Sequence, residues 1–264
     1  MKRLLAAAII AAFALPAFPA NAASANGTSC ANADALGTAR VLTVDAATTP
    51  RVGRQHFPTT LPLAPREVVL TFDDGPFPPT TARVLDALRA ECVRASFFLL
   101  GRNAVAYPAL ARRALAEGHT VAHHTYSHPL LNRMGAAQAE AEINRGMAAV
   151  DGVLYGQAKS HPVTPFFRFP GFASNAAVLD GLERRGIVVF GSDLWASDWN
   201  AMSASQELSL VLSRLEATSG GILLFHDTKA ATAALMPAFL RTLKARGYRI
   251  VHVVPSSGVF ADVR

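Results

Sequence analysis

From Glu67 onward, short apolar runs alternate with amphipathic stretches, and this alternation constrains the fold more than any other feature of the sequence. The apolar runs have the length of buried strands, and the amphipathic stretches have the period of a helix. Strands buried on both faces and joined by helices form a parallel sheet with right-handed crossovers. The predicted strands cover residues 67–72, 95–100, 119–122, 166–169, 187–191, 221–225 and 249–253, and the predicted helices cover 80–90, 107–117, 136–154, 175–185, 205–217 and 231–245. The pattern therefore predicts an α/β fold, either a closed barrel or an open doubly wound sheet, and periodicity does not choose between the two.

The N-terminus has the pattern of a secretory signal. Lys2 and Arg3 precede an apolar run over residues 4–15, and an Ala-Asn-Ala cleavage pattern ends at Ala22. The apolar run is shorter than the roughly 20 residues of a membrane-spanning helix. We therefore expect an exported protein, periplasmic or secreted, without stable membrane insertion. The predicted organisation is a signal peptide over 1–22, an N-terminal extension over 23–65 with little periodicity, and one domain over 66–264.

The charge of the chain bears on the partners that it could bind. The chain has 25 basic and 19 acidic residues, with a formal net charge of +6, but no dense basic run, so nucleic acid is not expected as a partner. We expect a monomer.

Cys30 and Cys92 could pair in an oxidising compartment and attach the extension to the domain. They could equally be two unpaired thiols, because the sequence does not give the distance between them.

Polar residues follow five of the predicted strands. The carboxyl ends of parallel strands meet at one rim, where the sites of such folds form. We therefore expect these side chains to meet at that rim. In chain order they are Asp73 and Asp74, His124 and His128, Arg168, Asp193, and His226.

Three of these residues have the composition of a metal site. Asp74, His124 and His128 together make a set of two histidines and one carboxylate, which is common for Zn²⁺ and related catalytic ions. The two histidines are four residues apart, and a helical turn would place them on one face. The neighbouring Asp73 would then face the substrate, because successive residues of an extended chain point in different directions.

The segments TFDDG (71–75), HTYSH (124–128), RFPG (168–171) and LLFH (223–226) resemble, in this order, motifs of the polysaccharide deacetylase family with its NodB homology domain. The resemblance runs from about residue 67 to 254. It implies a distorted (β/α) barrel with about seven strands. It further implies Asp73 as general base, Asp74, His124 and His128 as ligands of a divalent metal, Arg168 as the residue that positions the base, and His226 as general acid.

Two motifs depart from the family pattern. Gly171 directly follows Pro170 where the family usually has an aromatic residue, although the Gly171 N–H can still serve an oxyanion hole. The aspartate that supports the acid would be Asp193, because it follows a predicted strand, with Asp198 as the alternative. The resemblance also makes Leu223 part of the acid's motif, and Trp195 and Trp199 could stack on sugar rings.

The predicted function is removal of N-acetyl groups from an amino-sugar polysaccharide or oligosaccharide, similar to peptidoglycan or chitin, with Zn²⁺ as the expected cofactor and Co²⁺ or another divalent ion as an alternative. Two other functions stay open on the same scaffold: an O-acetyl esterase of the xylan type and a glycan-binding protein without activity. A serine-nucleophile hydrolase is not expected, because the sequence has no Gly-x-Ser-x-Gly motif.

Overall fold

The computed structural model describes Cys30, residues 32–158 and residues 161–256. The predicted signal peptide, residues 1–22, lies outside the described residues. Within the described part of the chain, no helix combines the length and the apolar content needed to cross a bilayer.

The core of the fold is a sheet in which every described strand pair is parallel. Its strands are β1 (Thr38–Val44), β2 (Arg51–Val52), β3 (Glu67–Asp73), β4 (Ser96–Leu99), β5 (Thr120–His123), β6 (Phe166–Phe167), β7 (Val188–Phe190), β8 (Leu194–Trp195), β9 (Gly221–His226) and β10 (Arg249–Pro255). The seven predicted strands correspond to β3, β4, β5, β6, β7, β9 and β10. The prediction of a parallel α/β sheet is confirmed.

The helices are α1 (Thr80–Ala90), α2 (Gly101–Ala106), α3 (Pro108–Ala116), α4 (Ala136–Tyr155), α5 (Ala176–Arg184), α6 (Ala204–Thr218) and α7 (Ala230–Ala245). Six of them match the predicted helices within a few residues at each end. The short α2 was not predicted, because six residues contain less than two helical turns of pattern.

The sheet curls into a barrel with one opening. The buried strand β3 runs between β4 on one side and β9 on the other. The sheet continues from β4 through β5 and β6 to β7, and from β9 to β8. No strand pairing joins β7 to β8 within the described ranges, and β2 pairs with the free edge of β7 at this opening. This is a distorted (β/α) barrel, one of the two architectures that the strand pattern left open.

The alternation of side chains along β3 determines the direction in which Asp73 points. Val68, Leu70 and Phe72 pack outward in the core shared with helices α1 and α7. Val69 instead packs inside the barrel. Because side chains alternate along a strand, Asp73 points to the same inner side as Val69, at the carboxyl end of the barrel.

The N-terminal extension has more structure than its sequence pattern indicates. A disulfide joins Cys30 to Cys92 at the end of α1, with the Cα atoms 5.8 Å apart. Strand β1 then pairs in parallel with β10. Its Arg40 donates two hydrogen bonds to the Glu67 carboxylate, at 2.9 and 2.7 Å, which lowers the pKa of Glu67 to about 2. The extension therefore packs as part of the barrel.

Candidate active site

The structure brings most of the predicted site residues together at the carboxyl ends of the strands. Asp73 ends β3 and lies beside His226, the last residue of β9, in the strand register. His124 follows the end of β5, and Arg168 follows the end of β6. Parallel pairing in register therefore delivers residues that are distant in sequence to one rim.

Asp74, His124 and His128 form a cluster with the dimensions of a metal site. Oδ1 of Asp74 lies 3.5 Å from Nε2 of His124 and 3.4 Å from Nε2 of His128. One ligand atom from each of the three residues lies within 4.8 Å of the other two. Oδ1 of Asp74 is also buried without a hydrogen-bond partner among the described residues. A buried carboxylate oxygen without a donor is costly, and a cation at this point would satisfy it. The residues fit a divalent metal ion.

The expected helical turn between the two histidines is wrong. Residues 124–130 form a loop in which Thr125 and His128 have φ values of 67° and 69°, in the left-handed region. The loop is held close to α4 at Gly146, where a Cβ atom would lie 2.3 Å from the Thr125 carbonyl carbon. Glycine at this position lets the helix support the loop, and the loop brings the imidazoles together without helical geometry.

A hydrogen bond to a main-chain carbonyl fixes the orientation of the His124 ring. Its Nδ1 lies 2.7 Å from the Arg168 carbonyl oxygen and donates to it, so Nε2 is free to face the cluster. Burial lowers the pKa of His124 to about 3, against an opposing effect of Asp74. The imidazole is therefore neutral, which is the form that binds a metal.

Asp73 is held by a buried arginine. The Arg168 guanidinium donates to Oδ1 of Asp73 at 2.7 Å and to the Thr71 hydroxyl at 2.9 Å. It also donates to the carbonyls of Phe190 and Gly191 at the end of β7. Burial raises the pKa of Asp73, and the Arg168 charge opposes this rise. The second oxygen, Oδ2, is 3.8 Å from Nε2 of His124 and faces the cluster.

His226 lies on the other side of the cluster and is paired with Asp198. The Asp198 carboxylate accepts from Nδ1 of His226 at 2.7 Å and from its backbone N–H at 2.6 Å. Burial opposes the charged imidazole, but the hydrogen bond and charge of Asp198 outweigh it, with help from Asp73 and Asp74, and the pKa of His226 rises to about 9. Nε2 lies 4.0 Å from Oδ2 of Asp74. His226 is therefore a protonated group aimed at the cluster.

Two residues behind Asp198 were not found from the sequence. The Thr232 hydroxyl lies 2.9 Å from Asp198 and 2.8 Å from Glu207. Burial raises the pKa of Glu207 to about 7. Both residues are inward-facing polar positions within helices, a weak signal that a sequence pattern shares with many structural residues.

The predicted pairing of Asp193 with His226 is wrong. Asp193 directly precedes the short strand β8, and its N–H donates to the Ile222 carbonyl in the first half of β9. Ile222 is four residues before His226, about 13 Å along a strand. The Asp193 carboxylate instead accepts from the backbone N–H groups of Arg54 and Ile222 and from the Thr60 hydroxyl, each at 2.8 Å. The open alternative, Asp198, makes the contact with His226.

The predicted substrate contacts divide into exposed and buried residues. Gly171 is exposed on a turn, and Trp199 is 49% exposed. The Trp199 ring meets the rings of Trp195 and His226 edge-on, with centroids 6.0 Å apart in each case. Leu223, in contrast, is fully buried, so its side chain cannot contact a substrate. Its carbonyl accepts a hydrogen bond from the Thr71 hydroxyl.

These observations define a class of protein: a parallel α/β barrel that carries, at its carboxyl rim, an Asp–His–His cluster with the dimensions of a metal site. A sequence model of the polysaccharide deacetylase family matches residues 61–190. The chain is 36% identical over 162 residues to a chitooligosaccharide deacetylase of Rhizobium leguminosarum bv. trifolii, and the match covers 61% of this chain and 72% of that protein. The chain therefore belongs to the polysaccharide deacetylase family, as its motifs predicted.

Two further similarities support the family and the fold. The chain is 34% identical to a peptidoglycan-N-acetylglucosamine deacetylase of Listeria monocytogenes over 71% of its own length, but the match covers 38% of the Listeria protein. A peptidoglycan deacetylase structure from Bdellovibrio bacteriovorus superimposes with a TM-score of 0.73 at 30% identity, covering 84% of this chain and 60% of that one. The chain thus spans less than two thirds of the length of these two proteins.

Proposed function

We propose that the protein is a metal-dependent hydrolase that removes N-acetyl groups from an amino-sugar glycan and releases acetate. The observation that carries this proposal is the placement of the Asp74, His124 and His128 cluster between a buried carboxylate, Asp73, and a protonated imidazole, His226. Hydrolysis of an amide needs a base on one side of the carbonyl and an acid on the other, and these two groups supply them.

The ion proposed for the cluster is Zn²⁺, held by Asp74, His124 and His128. Two imidazoles and one carboxylate leave coordination positions open, as catalytic zinc sites do. Such an ion, when bound, polarises a carbonyl and lowers the pKa of water. Co²⁺ could occupy the same ligands.

Asp73 is proposed as the base. It takes a proton from the attacking water as the new bond to the acetyl carbon forms. A raised pKa strengthens it as a proton acceptor, and Arg168 fixes its orientation. The Gly171 N–H is proposed to donate to the developing oxyanion, where one donor contributes about 3–4 kcal/mol.

His226 is proposed as the acid. It donates its proton to the sugar nitrogen as the carbon–nitrogen bond breaks, which yields acetate and a free amine. An amine is a poor leaving group unless it is protonated, and a histidine with a pKa of about 9 is charged throughout the neutral range. This charged acid favours an N-acetyl over an O-acetyl substrate, because an alkoxide leaves more readily than an amide anion. Asp198 keeps the proton on His226.

The glycan is proposed to be peptidoglycan or a chitin-like oligomer, the substrates that the names of the relatives give for those proteins. Export is proposed from the signal pattern that ends at Ala22. The disulfide between Cys30 and Cys92 supports it, because such bonds persist mainly in oxidising compartments.

The test is acetate release from chitin oligomers, peptidoglycan and acetyl-xylan, measured with the metal removed and then restored. Asp73→Asn is expected to bind the metal and lose activity, whereas His124→Ala is expected to lose both. Metal content is measured by mass spectrometry alongside the rate. Turnover retained by either variant would contradict the assigned roles. Acetate from acetyl-xylan alone would identify an O-acetyl esterase, and glycan binding without acetate would identify a binding protein.

A further inference from the structure

We propose that residues 53–60 form a wall of the substrate cleft, and that His56, with Phe172 and Trp195, binds a sugar ring next to the one that loses its acetyl group. The proposal rests on the proposed function and extends it to the glycan chain. Residues 53–60 precede the part of the chain that the family model matches, which begins at residue 61.

The strand pairing delivers this segment to the rim of the barrel. β2 runs parallel to β7, with Val52 opposite Phe190, so the chain leaves β2 at the carboxyl end of the sheet. Gly53 follows with a φ of 111°, and a Cβ atom there would lie 2.4 Å from the backbone nitrogen of Ser192. The His56 N–H then donates to the Gly53 carbonyl at 3.0 Å, which turns the chain across the opening between β7 and β8.

Asp193 anchors both ends of the turn. One carboxylate oxygen accepts from the Arg54 N–H, and the other accepts from the Thr60 hydroxyl. Between them, Gln55 donates its N–H to the Ser192 carbonyl at 3.0 Å and its side-chain amide to the Asp193 carbonyl at 3.1 Å. The segment is thus fixed to the barrel on both sides of His56, which gives Asp193 a structural role in place of the predicted one.

The anchored His56 begins a row of rings that ends at the proposed acid. Its imidazole stacks on Phe172 with a centroid distance of 3.6 Å and an interplanar angle of 23°. Trp195 lies 6.0 Å from His56, Trp199 lies 6.0 Å from Trp195, and His226 lies 6.0 Å from Trp199. Trp199 is half exposed. A partly exposed row of flat rings beside an acid suits the apolar C–H faces of consecutive pyranose rings, with polar edges left for the hydroxyls.

The state of the His56 ring suits stacking. Its Nδ1 is buried beside Gly191 and has no hydrogen-bond partner among the described residues. Burial, followed by the charge of Arg168, lowers the pKa of His56 to about 4, so the ring is neutral at neutral pH. In a neutral imidazole with its proton on Nε2, the buried Nδ1 carries no hydrogen, so no N–H group is buried without an acceptor. The same tautomer presents an N–H donor to a sugar hydroxyl.

The experiment measures binding, so that it does not depend on turnover. The Asp73→Asn protein, loaded with Zn²⁺, is titrated calorimetrically with the monomer and the hexamer of N-acetylglucosamine. Adding His56→Ala is expected to weaken hexamer binding about tenfold and to change monomer binding less than twofold. His56→Phe is expected to keep hexamer binding within about threefold, because the ring stack remains. His161→Ala is the matched control: it removes an exposed imidazole that lies beside the Arg185 carbonyl, outside residues 53–60.

Equal hexamer affinity with and without His56→Ala would overturn the proposal, and so would a parent protein that does not bind the hexamer. An equal loss for the monomer and the hexamer, with an unchanged melting temperature, would place His56 at the reacting sugar and would also overturn it. A wild-type protein that binds the hexamer but releases no acetate would refute the proposed function and leave the binding result intact.

Discussion

Replacing Asp198 with asparagine removes the charge that keeps His226 protonated while it preserves the shape of the side chain. In the folded protein, burial pushes the pKa of His226 down, and the hydrogen bond and charge of Asp198 are the main effects that raise it to about 9. Without that charge, burial is no longer outweighed, and the pKa should fall to 6.5 or below. The difference of 2.5 pKa units corresponds to about 3 kcal/mol of stabilisation of the charged form.

As the proposed acid, His226 must be protonated to act, so we expect activity to be lost as the pH rises through its pKa. At pH 8, a fall in pKa from about 9 to 6.5 lowers the protonated fraction about thirtyfold. We therefore expect the alkaline limb of the kcat profile to move from near pH 9 to pH 6.5 or lower in Asp198→Asn. A cation bound at Asp74 would lower the absolute value in both proteins, but the difference between them comes from Asp198.

The assay is acetate release between pH 5 and pH 10, with the metal content checked at each end of the range. Asp193→Asn is the matched control, because Asp193 holds residues 53–60 and lies well away from His226. Its alkaline limb is expected to stay in place. An unmoved limb in Asp198→Asn, or a moved limb in Asp193→Asn, would refute this account of the acid. The raised pKa also contributes folding stability that is fully present below pH 6.5 and is lost as the pH rises through about 9.

Two further predictions concern the scaffold. Gly146→Ala should push the 124–130 loop off α4, because the new Cβ would lie 2.3 Å from Thr125, and should weaken metal binding at least tenfold in a competition titration. Gly152→Ala, on the same helix with nothing within 4 Å, should leave the metal affinity unchanged and stabilise the fold by up to about 1 kcal/mol. Reduction of the disulfide between Cys30 and Cys92, which closes a loop of 62 residues, should lower the free energy of unfolding by about 4 kcal/mol in a urea titration. Equal metal affinity in the two glycine variants, or an unchanged urea midpoint after reduction, would contradict these readings.

The central strands and several residues of the candidate site could be predicted because each has a strong local signal. β3 and β9 are continuous apolar runs, and the polar residues Asp73, Asp74 and His226 stand at their ends. In a parallel sheet the carboxyl ends of the strands meet at one rim. A residue that ends a strand in the sequence is therefore placed at that rim.

The residues that the sequence could not place lack such a signal. β2 and β8 contain two residues each, too few for a period. The sequence pattern therefore does not show that a further strand, β8, lies between Asp193 and Asp198. Asp193 follows a predicted strand in sequence, yet it lies directly before the next strand, β8. His56 lies in a segment without periodicity and reaches the rim only through the pairing of β2 with β7. These positions depend on tertiary contacts, which a single sequence does not display.

Arg168 holds both Asp73, the proposed base, and the proposed metal cluster in place. Its guanidinium holds Asp73, and its carbonyl oxygen holds Nδ1 of His124, so the side chain and the main chain of one residue set both groups. Because the arginine is fully buried, its contacts are not weakened by solvent, and removing it would leave the Asp73 charge buried and unpaired. His226 is held separately by Asp198, on β9 and the loop before α6. The geometry that the proposed reaction needs therefore depends on how β3, β6 and β9 stay in register, which connects the chemistry at the rim to the packing of the whole barrel.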